Sequence, residues 1–416
     1  MPEKGLTPEE FLKKLSKDDK NSIRDLNVKK KLDLIPTGSW ILDSLIGDGT
    51  MTGKPGGFPR GQVCEVFGDE SSGKTTLALS TVCKAQEAGG MAVLMDFEQS
   101  FHAPYAQSLG VNLNKSKFLV WEPMSFEEGA RHIMDCLMMK PAIIVVDSVS
   151  AMLPRSVLEG KIDEATGIGL QARLMSKFLN HITKFLKTNN TLLLFTNQMR
   201  SVIKKSKWDT GPDEESTGGR ALRFYSVVRL KLKTSTVEKI DTISRLTGTK
   251  DKTPINVKIK ATVVKNKIDK PWYSAPLYIR FGEGIDNIRS IIELAINTGV
   301  IKKTGAFYSF SQGEETLLKV QGQEQLWQAL NDDSKLYNKV KSSLIIREDT
   351  KAKEMYKNVK QDVSEDKQVN SPDEMDDMFK EVESNFLQKE AGKKPPEGVV
   401  DLDPEENLED PEKEDE

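Results

Sequence analysis

Three cysteines in 416 residues leave little room for disulfide chemistry. Cys64, Cys83 and Cys136 stand in apolar or helical surroundings without ligand spacing, so they read as reduced core thiols of a cytoplasmic protein. No apolar run approaches the ~18 residues of a membrane span, and no export signal is visible, so neither insertion nor export is expected. Internal repeats are absent. Charge, by contrast, is plentiful: 30% of residues are Asp, Glu, Lys or Arg, against 37% apolar. Residues 397–416 hold eleven acidic residues and one lysine, a net of −10; the whole chain is −3, so residues 1–396 carry +7. A basic body with an acidic tail suits a polyanionic partner for which the tail competes, and a merely solubilising tail suits the composition equally well.

The most informative stretch is Gly68-Asp69-Glu70-Ser71-Ser72-Gly73-Lys74-Thr75, which matches G-x-x-x-x-G-K-[ST]. A strand-like run, Gln62 to Phe67, precedes it, and a helix start, Thr76 to Ser80, follows it. In that context the glycines turn successive backbone N–H groups onto phosphates, and the helix N-terminus adds positive partial charge. Lys74 is expected to reach the β- and γ-phosphates, and the Thr75 hydroxyl to ligate Mg²⁺.

Residues 1–33 are lysine-rich, with Phe11, Leu12 and Leu15 on one face of a short amphipathic segment. Such an arm cannot bury that face alone, so it is assigned to oligomerisation. Residues 34–283 are assigned to the main core, within which apolar strands alternate with helical patterns from Gly61 to about Lys233. Strands are expected at Met91–Phe97, Phe118–Trp121, Ala142–Val146 and Thr191–Asn197, and helices at Phe126–Met139 and Leu170–Leu186. This implies an α/β core, a mostly parallel sheet with helices on both faces. Ile255–Val264 and Pro276–Phe281 extend it, antiparallel. Residues 284–345 read as a small α+β C-terminal lobe, and 346–416 as a charged, largely disordered acidic tail.

Asp147 ends an apolar strand, where a second carboxylate holds the Mg²⁺ water shell opposite Thr75. Glu98 lies just past another strand end, at the edge where open parallel sheets bind ligands, and is a candidate to activate water; a solvated loop carboxylate is the alternative. Two long loops follow core strands. The first, about 154–169, contains Arg155. The second, about 200–218, contains Arg200, Lys204, Lys205, Lys207 and Trp208. Cations with one aromatic suit a single-stranded nucleic acid, while a merely solvated loop stays open.

Taken in order, these blocks resemble the RecA family of homologous-recombination proteins across roughly residues 34–310. The resemblance rests on Thr37-Gly38-Ser39, Glu70 to Thr76, Asp96-Phe97-Glu98, Val145 to Val149, Asn197 to Arg200, Thr217 to Tyr225, Val263 to Lys267 and Phe281 to Ile285. It implies a RecA-like P-loop ATPase fold that binds ATP and Mg²⁺, with Glu98, Lys74 and Gln198 as catalytic residues. Residues 68–76 (Gly68, Asp69, Glu70, Ser71, Ser72, Gly73, Lys74, Thr75 and Thr76) would hold ATP, and Tyr105 would stack on the adenine. Gln198 would sense the γ-phosphate and couple it to the second loop. Lys265 and Lys267 would reach the nucleotide of an adjacent subunit, and Arg223 and Phe224 would make subunit contacts. Arg173, Gly218 and Gly219 join the DNA-binding set. The second loop is longer than the family pattern and adds Asp213-Glu214-Glu215; Arg223 replaces a usual lysine; and Gly49–Gly57 is an unusual insert.

The expected function is therefore that of an ATP-dependent recombinase. It would form a filament on single-stranded DNA and pair that strand with homologous duplex DNA, with single-strand-binding and loader proteins as candidate partners, in the cytoplasm at the nucleoid and away from membranes. Two alternatives share the ATPase core. A hexameric helicase would need a larger assembly domain than residues 1–33 provide. A nucleotide-switched oligomeric regulator that barely hydrolyses ATP is disfavoured by the presence of Glu98, Gln198 and both lysines. A transporter ATPase lacks support, since no Leu-Ser-Gly-Gly signature occurs.

Overall fold

The computed structural model describes residues 32–47, 56–160, 164–201, 214–216, 219–243, 250–313 and 315–344. The chain divides into two units, Met1–Ile345 and Ile346–Glu416, and the second lies wholly outside the described residues. So do residues 1–31, the greater part of the expected oligomerisation arm, and residues 48–55 of the insert.

Strand β1 (Leu34–Ile35) pairs antiparallel with β2 (Phe58–Pro59), and α1 (Trp40–Ile46) lies between them in sequence. The core then alternates: β3 (Val63–Gly68), α2 (Lys74–Glu87), β4 (Ala92–Asp96), α3 (Ala103–Ser108), β5 (Phe118–Trp121), α4 (Phe126–Cys136), β6 (Ile143–Asp147), α5 (Arg155–Leu158), α6 (Glu164–Asn189) and β7 (Leu192–Ser201). There follow β8 (Glu214–Ser216), α7 (Gly219–Tyr225), β9 (Val228–Ile243), β10 (Lys250–Asn266), β11 (Ser274–Arg280) and β12 (Gly284–Ile285). The main sheet has the order β12-β11-β10-β9-β3-β7-β6-β4-β5. From β9 to β5 every pairing is parallel; from β9 outward to β12 every pairing is antiparallel.

The central strands β4 and β6 are buried on both faces because they carry apolar residues at every position before the closing aspartate, the pattern of a sheet covered twice. Alternate residues serve opposite layers. Ile143 and Val145 of β6 pack with Leu77 and Val82 of α2 in one core. Ile144 and Val146 pack with Ile133 of α4 and Phe178 and Ile182 of α6 in the other. The three cysteines are free and buried. The α/β core and the small antiparallel sheet of the C-terminal lobe are the fold class expected from the sequence. No helix among the described residues is long and apolar enough to cross a membrane.

Both expected loops need correction. The first, expected as a long loop over about 154–169, has α5 at its start, and α6 already begins at Glu164. Gly167 and Gly169 each cost a helix about 1 kcal/mol, which a long helix seated on the sheet by Met175, Phe178, Leu179, Ile182 and Leu186 tolerates. Gln171 secures this end by donating to Val149 O and Met152 O, both at 2.9 Å. The second loop starts as a ribbon, because β7 continues past Asn197 to Ser201 and pairs antiparallel with β8, Arg200 opposite Glu215. Strands β9 and β10 also run far beyond the expected stretch, pairing from Val228–Asn266 out to Ile243–Lys250.

The C-terminal lobe adds α8 (Asn287–Asn297), the antiparallel sheet β13 (Ile301–Thr304), β14 (Phe307–Gln312) and β15 (Glu315–Gln321), then α9 (Gln323–Asp332) and a last helix, α10, at residues 334–344. Its core takes in Ile41 of α1 and Ala275 of β11. Asn287 ties α8 to the main domain by accepting from Trp40 N at 3.1 Å and donating to Gly38 O at 2.7 Å.

Candidate active site

The loop between β3 and α2 is shaped by backbone conformations that most residues avoid. Ser71 and Gly73 both have positive φ, 56° and 80°. A Cβ on Gly73 would run into Ile279 Cδ1 of β11. Helix α2 starts at Lys74, so its first N–H groups, without intrahelical partners, face the loop. Ser72 Oγ is buried with no hydrogen-bond partner. An orphan hydroxyl among free N–H groups at a helix N-terminus fits a phosphate chain, which supplies acceptors to all of them. Lys74 Nζ donates to the loop's own carbonyls, Gly68 O at 3.2 Å and Asp69 O at 2.6 Å. Burial pushes its ammonium below the usual lysine range, while Asp147 and Glu98 pull the other way.

The carboxylates are gathered by neighbouring strand ends. Thr75 Oγ1 donates to Asp147 Oδ2 at 2.7 Å and Thr196 Oγ1 to Asp147 Oδ1 at 2.5 Å. Burial pushes the Asp147 carboxyl up, the two threonine hydroxyls oppose that shift, and Glu98 and Asp96 reinforce it. A cation beside Asp147 would offset this cost, and the Thr75–Asp147 pair is a hard oxygen set suited to Mg²⁺. No group of three or more His, Cys, Asp or Glu among the described residues could hold a metal alone; Mg²⁺ commonly takes one or two protein ligands and completes its shell with phosphate and water.

Glu98 is exposed beside this cluster, its backbone N–H donating to Asp147 O at 3.4 Å. Its Oε1 accepts from Ser148 Oγ at 2.5 Å and from Gln198 Nε2 at 3.4 Å. Ser148, paired in turn with Ser150 at 2.6 Å, and Thr196 were missed in the sequence. The signal for Ser148 was its place directly after Asp147. Thr196 had none, because its partner lies on another strand.

These residues line a cleft of about 350 Å³ running from Glu70–Thr76 past Glu98, Asp147 and Gln198 to Tyr105. Part of the cleft wall is apolar: Val257, Ile279 and Phe281. Tyr105 is held by a 2.7 Å bond between its hydroxyl and Thr76 Oγ1. The structure thus brings together Ser71, Ser72, Gly73, Lys74, Thr75, Thr76, Glu98, Tyr105, Asp147 and Gln198.

Lys265 and Lys267 are elsewhere. Lys265 stands opposite Arg229 in the ladder, level with Glu65 near the start of β3, whereas the cleft opens beyond the strand's other end at Gly68. Its Nζ donates to Arg223 O at 2.5 Å and Phe224 O at 3.0 Å, the terminal carbonyls of α7. Burial and the neighbouring Lys267 and Arg229 push its ammonium down. Phe224 is 71% exposed, Arg223 is half-buried and Lys267 is exposed.

Of the expected nucleic-acid contacts, Arg155 and Arg173 are exposed on α5 and α6, Gly219 starts α7 with φ 76°, and Arg200 is on β7. Lys204, Lys205, Lys207, Trp208 and Gly218 lie outside the described residues.

Residues 9–286 match the model of the RecA N-terminal domain. The chain is 40% identical over 313 residues to Protein RecA of Chlorobaculum tepidum, covering 75% of this chain and 82% of that protein. It is 38% identical over 323 residues to Protein RecA of Thermus thermophilus, covering 77% and 87%. With Protein RecA of Borrelia duttonii the identity is 39% over 321 residues, covering 76% and 81%.

Proposed function

The chain belongs to the RecA family, and from that premise we propose that it is a DNA-dependent ATPase acting as a recombinase. It coats single-stranded DNA as a helical homo-oligomer, pairs the bound strand with homologous duplex and exchanges strands. The observation that carries this reading is the position of Gln198. Its amide reaches Glu98 in the cleft, and the next three residues of β7 form the ribbon that leads into the basic loop. A γ-phosphate at the cleft and a strand at the loop would therefore act on the same three or four residues.

Roles follow from position. Residues 68–76 bind the triphosphate, with Lys74 neutralising its charge. Thr75 and Asp147 would hold Mg²⁺, which when bound would neutralise charge developing on the phosphates. Glu98, oriented by Ser148 and Gln198, positions and deprotonates the attacking water. Lys265 and Lys267 serve the cleft of the next subunit. A single chain keeps them at the far end of β3, so only head-to-tail contact joins them to a cleft, and head-to-tail contacts generate helices or rings. Arg223 and Phe224, beside Lys265, belong to that contact. Arg155, Arg173, Arg200, Lys204, Lys205, Lys207, Trp208, Gly218 and Gly219 are the proposed DNA contacts, with the cations pairing with phosphates while base pairing carries sequence recognition.

The test is ATP turnover with and without circular single-stranded DNA, for the natural chain and for Lys74→Ala and Glu98→Ala. Strong stimulation by DNA, lost in both variants, is expected, followed by strand exchange in a pairing assay. Equal turnover with and without DNA would overturn the reading in favour of an oligomeric switch. Duplex unwinding without pairing would favour a helicase.

A further inference from the structure

The apolar wall of the cleft is one face of a two-stranded layer whose other face meets the C-terminal lobe. Strands β10 and β11 pair with Val257 opposite Ile279 and Lys258 opposite Tyr278. Side chains alternate across a strand, so neighbours in sequence point to opposite faces. Val257 and Ile279 line the cleft, with Ile279 against Gly73. Lys258 and Tyr278, one step away, turn to α8, where a single carboxylate meets both. Glu293 accepts from Lys258 Nζ at 2.7 Å and from the Tyr278 hydroxyl at 2.5 Å, and Ser290 Oγ accepts from Tyr278 N at 3.2 Å. The same face carries Asn256, which donates to Glu238 at 3.1 Å; Glu238 in turn pairs with Arg289 of α8 at 3.0 Å.

We infer that Glu293, with Lys258 and Tyr278, is a positioning residue for the nucleotide site. It clasps β10 and β11 from behind and so holds Val257 and Ile279 at the spacing against which the nucleobase rests, without touching the nucleotide. Lys258 and Glu293 are partly buried, 31% and 20% exposed, so the pair is screened less than a surface ion pair. Tyr278 is 5% exposed and its ring is fixed in the layer, leaving its hydroxyl a single direction in which to donate. The inference rests on the reading of the cleft as a nucleoside triphosphate site and adds a residue to it from outside the motif-bearing core.

The experiment measures binding of Mg²⁺–ATP and of inorganic tripolyphosphate to the full chain by calorimetry. The variants are Glu293→Gln, Tyr278→Phe and the exchanged pair Lys258→Glu/Glu293→Lys. Tyr278→Phe removes only the hydroxyl and keeps the buried ring, so it stays informative if a charge variant misfolds. Expected are a roughly three- to tenfold weaker affinity for ATP in both single variants, a clearly smaller loss for tripolyphosphate, since Ile279 also packs against Gly73, and a raised KM with kcat within about twofold. The exchanged pair should recover part of the loss. Unchanged ATP affinity in Tyr278→Phe and Glu293→Gln would overturn the inference alone, as would parallel losses for ATP and tripolyphosphate, which indicate general loosening. A natural chain that binds no ATP would overturn the nucleotide reading and the inference with it.

Discussion

Replacing Asp43 with asparagine should stabilise the protein at neutral and alkaline pH. Asp43 lies on α1 and is 4% exposed, its Oδ1 accepting from Thr37 N at 2.6 Å. Burial raises its carboxyl from an ordinary 3.8 to about 7; the Thr37 bonds and the charge of Lys341 on α10 oppose the rise without cancelling it. A carboxyl raised in the folded state contributes stability that is fully present below the unfolded value, near pH 4, and is lost as pH rises through about 7. Above pH 8 the buried charge therefore costs about 4 kcal/mol relative to the unfolded chain. Asparagine keeps an acceptor for Thr37 N and removes the charge. The attraction of Lys341 already counts within that shift; the amide NH₂ group that asparagine brings into the buried site must be desolvated, which returns roughly 1–2 kcal/mol of the gain.

The expected net effect is a gain of about 2–3 kcal/mol above pH 8 that shrinks steadily as pH falls toward 4. Urea unfolding of both proteins at pH 5, 6, 7 and 8, compared at equal slopes, reads this directly. A variant less stable than the natural chain at pH 8, or a difference that does not change with pH, would refute the reasoning. The first outcome would mean that the Lys341 interaction outweighs burial; the second would mean that Asp43 does not titrate in this range.

Arg229→Met leaves the fully buried Glu65 without its guanidinium, 2.5 Å away, and should cost about 3–5 kcal/mol in urea unfolding; a loss below about 1 kcal/mol would show the pair to be dispensable. Thr196→Val removes a hydroxyl that holds the Asp147 carboxyl down against burial. Since ionised Asp147 is the proposed Mg²⁺-holding form, the acid limb of ATP turnover should move to higher pH and the Mg²⁺ requirement should rise a few-fold, and an unmoved limb argues against that role. Truncation after Asn370 removes the acidic tail and should strengthen DNA binding, most at low salt; equal affinities across a salt series would reject competition by the tail.

The parts of the site legible in the sequence were those whose chemistry is compressed into a few consecutive residues. Residues 68–75 announce a phosphate loop because the turn, the lysine and the helix start are contiguous, and Asp147 is visible because it terminates an apolar run. Ser148 and Thr196 act through partners on neighbouring strands, so only the sheet order discloses them. The apolar wall was unreadable for a different reason. Val257 and Ile279 look like any residues of a half-buried strand, and they reach the phosphate loop only because β9 pairs with both β3 and β10. The lengths of β9 and β10 were hidden by the polar run around Lys239 and Asp251, where pairing along the ladder replaces apolar alternation as the reason to be extended. The start of α6 was hidden by two glycines that its later turns outweigh.

Strand β7 explains how these parts come to act together. Its successive residues serve different partners on alternating sides. Thr196 holds Asp147, Asn197 donates to Glu65 at 2.9 Å, Gln198 reaches Glu98, and Met199 to Ser201 form the ribbon toward the proposed DNA loop. Glu65 binds Arg229, and Arg229 is the ladder partner of Lys265, the lysine assigned to the neighbouring subunit. Four consecutive residues thus serve the proposed metal carboxylate, the buried pair beside the lysine proposed to face a neighbouring subunit, the carboxylate proposed to activate water and the ribbon toward the proposed DNA loop. A strand paired on both edges cannot slip by one residue without exchanging all of these contacts at once. A displacement at the ribbon is therefore confined to small changes along β7, and the first side chain it meets on the way to the cleft is Gln198. That placement would let occupancy of the loop bear on Glu98 without rearranging the core, which is the physical content of the proposed DNA-dependent turnover.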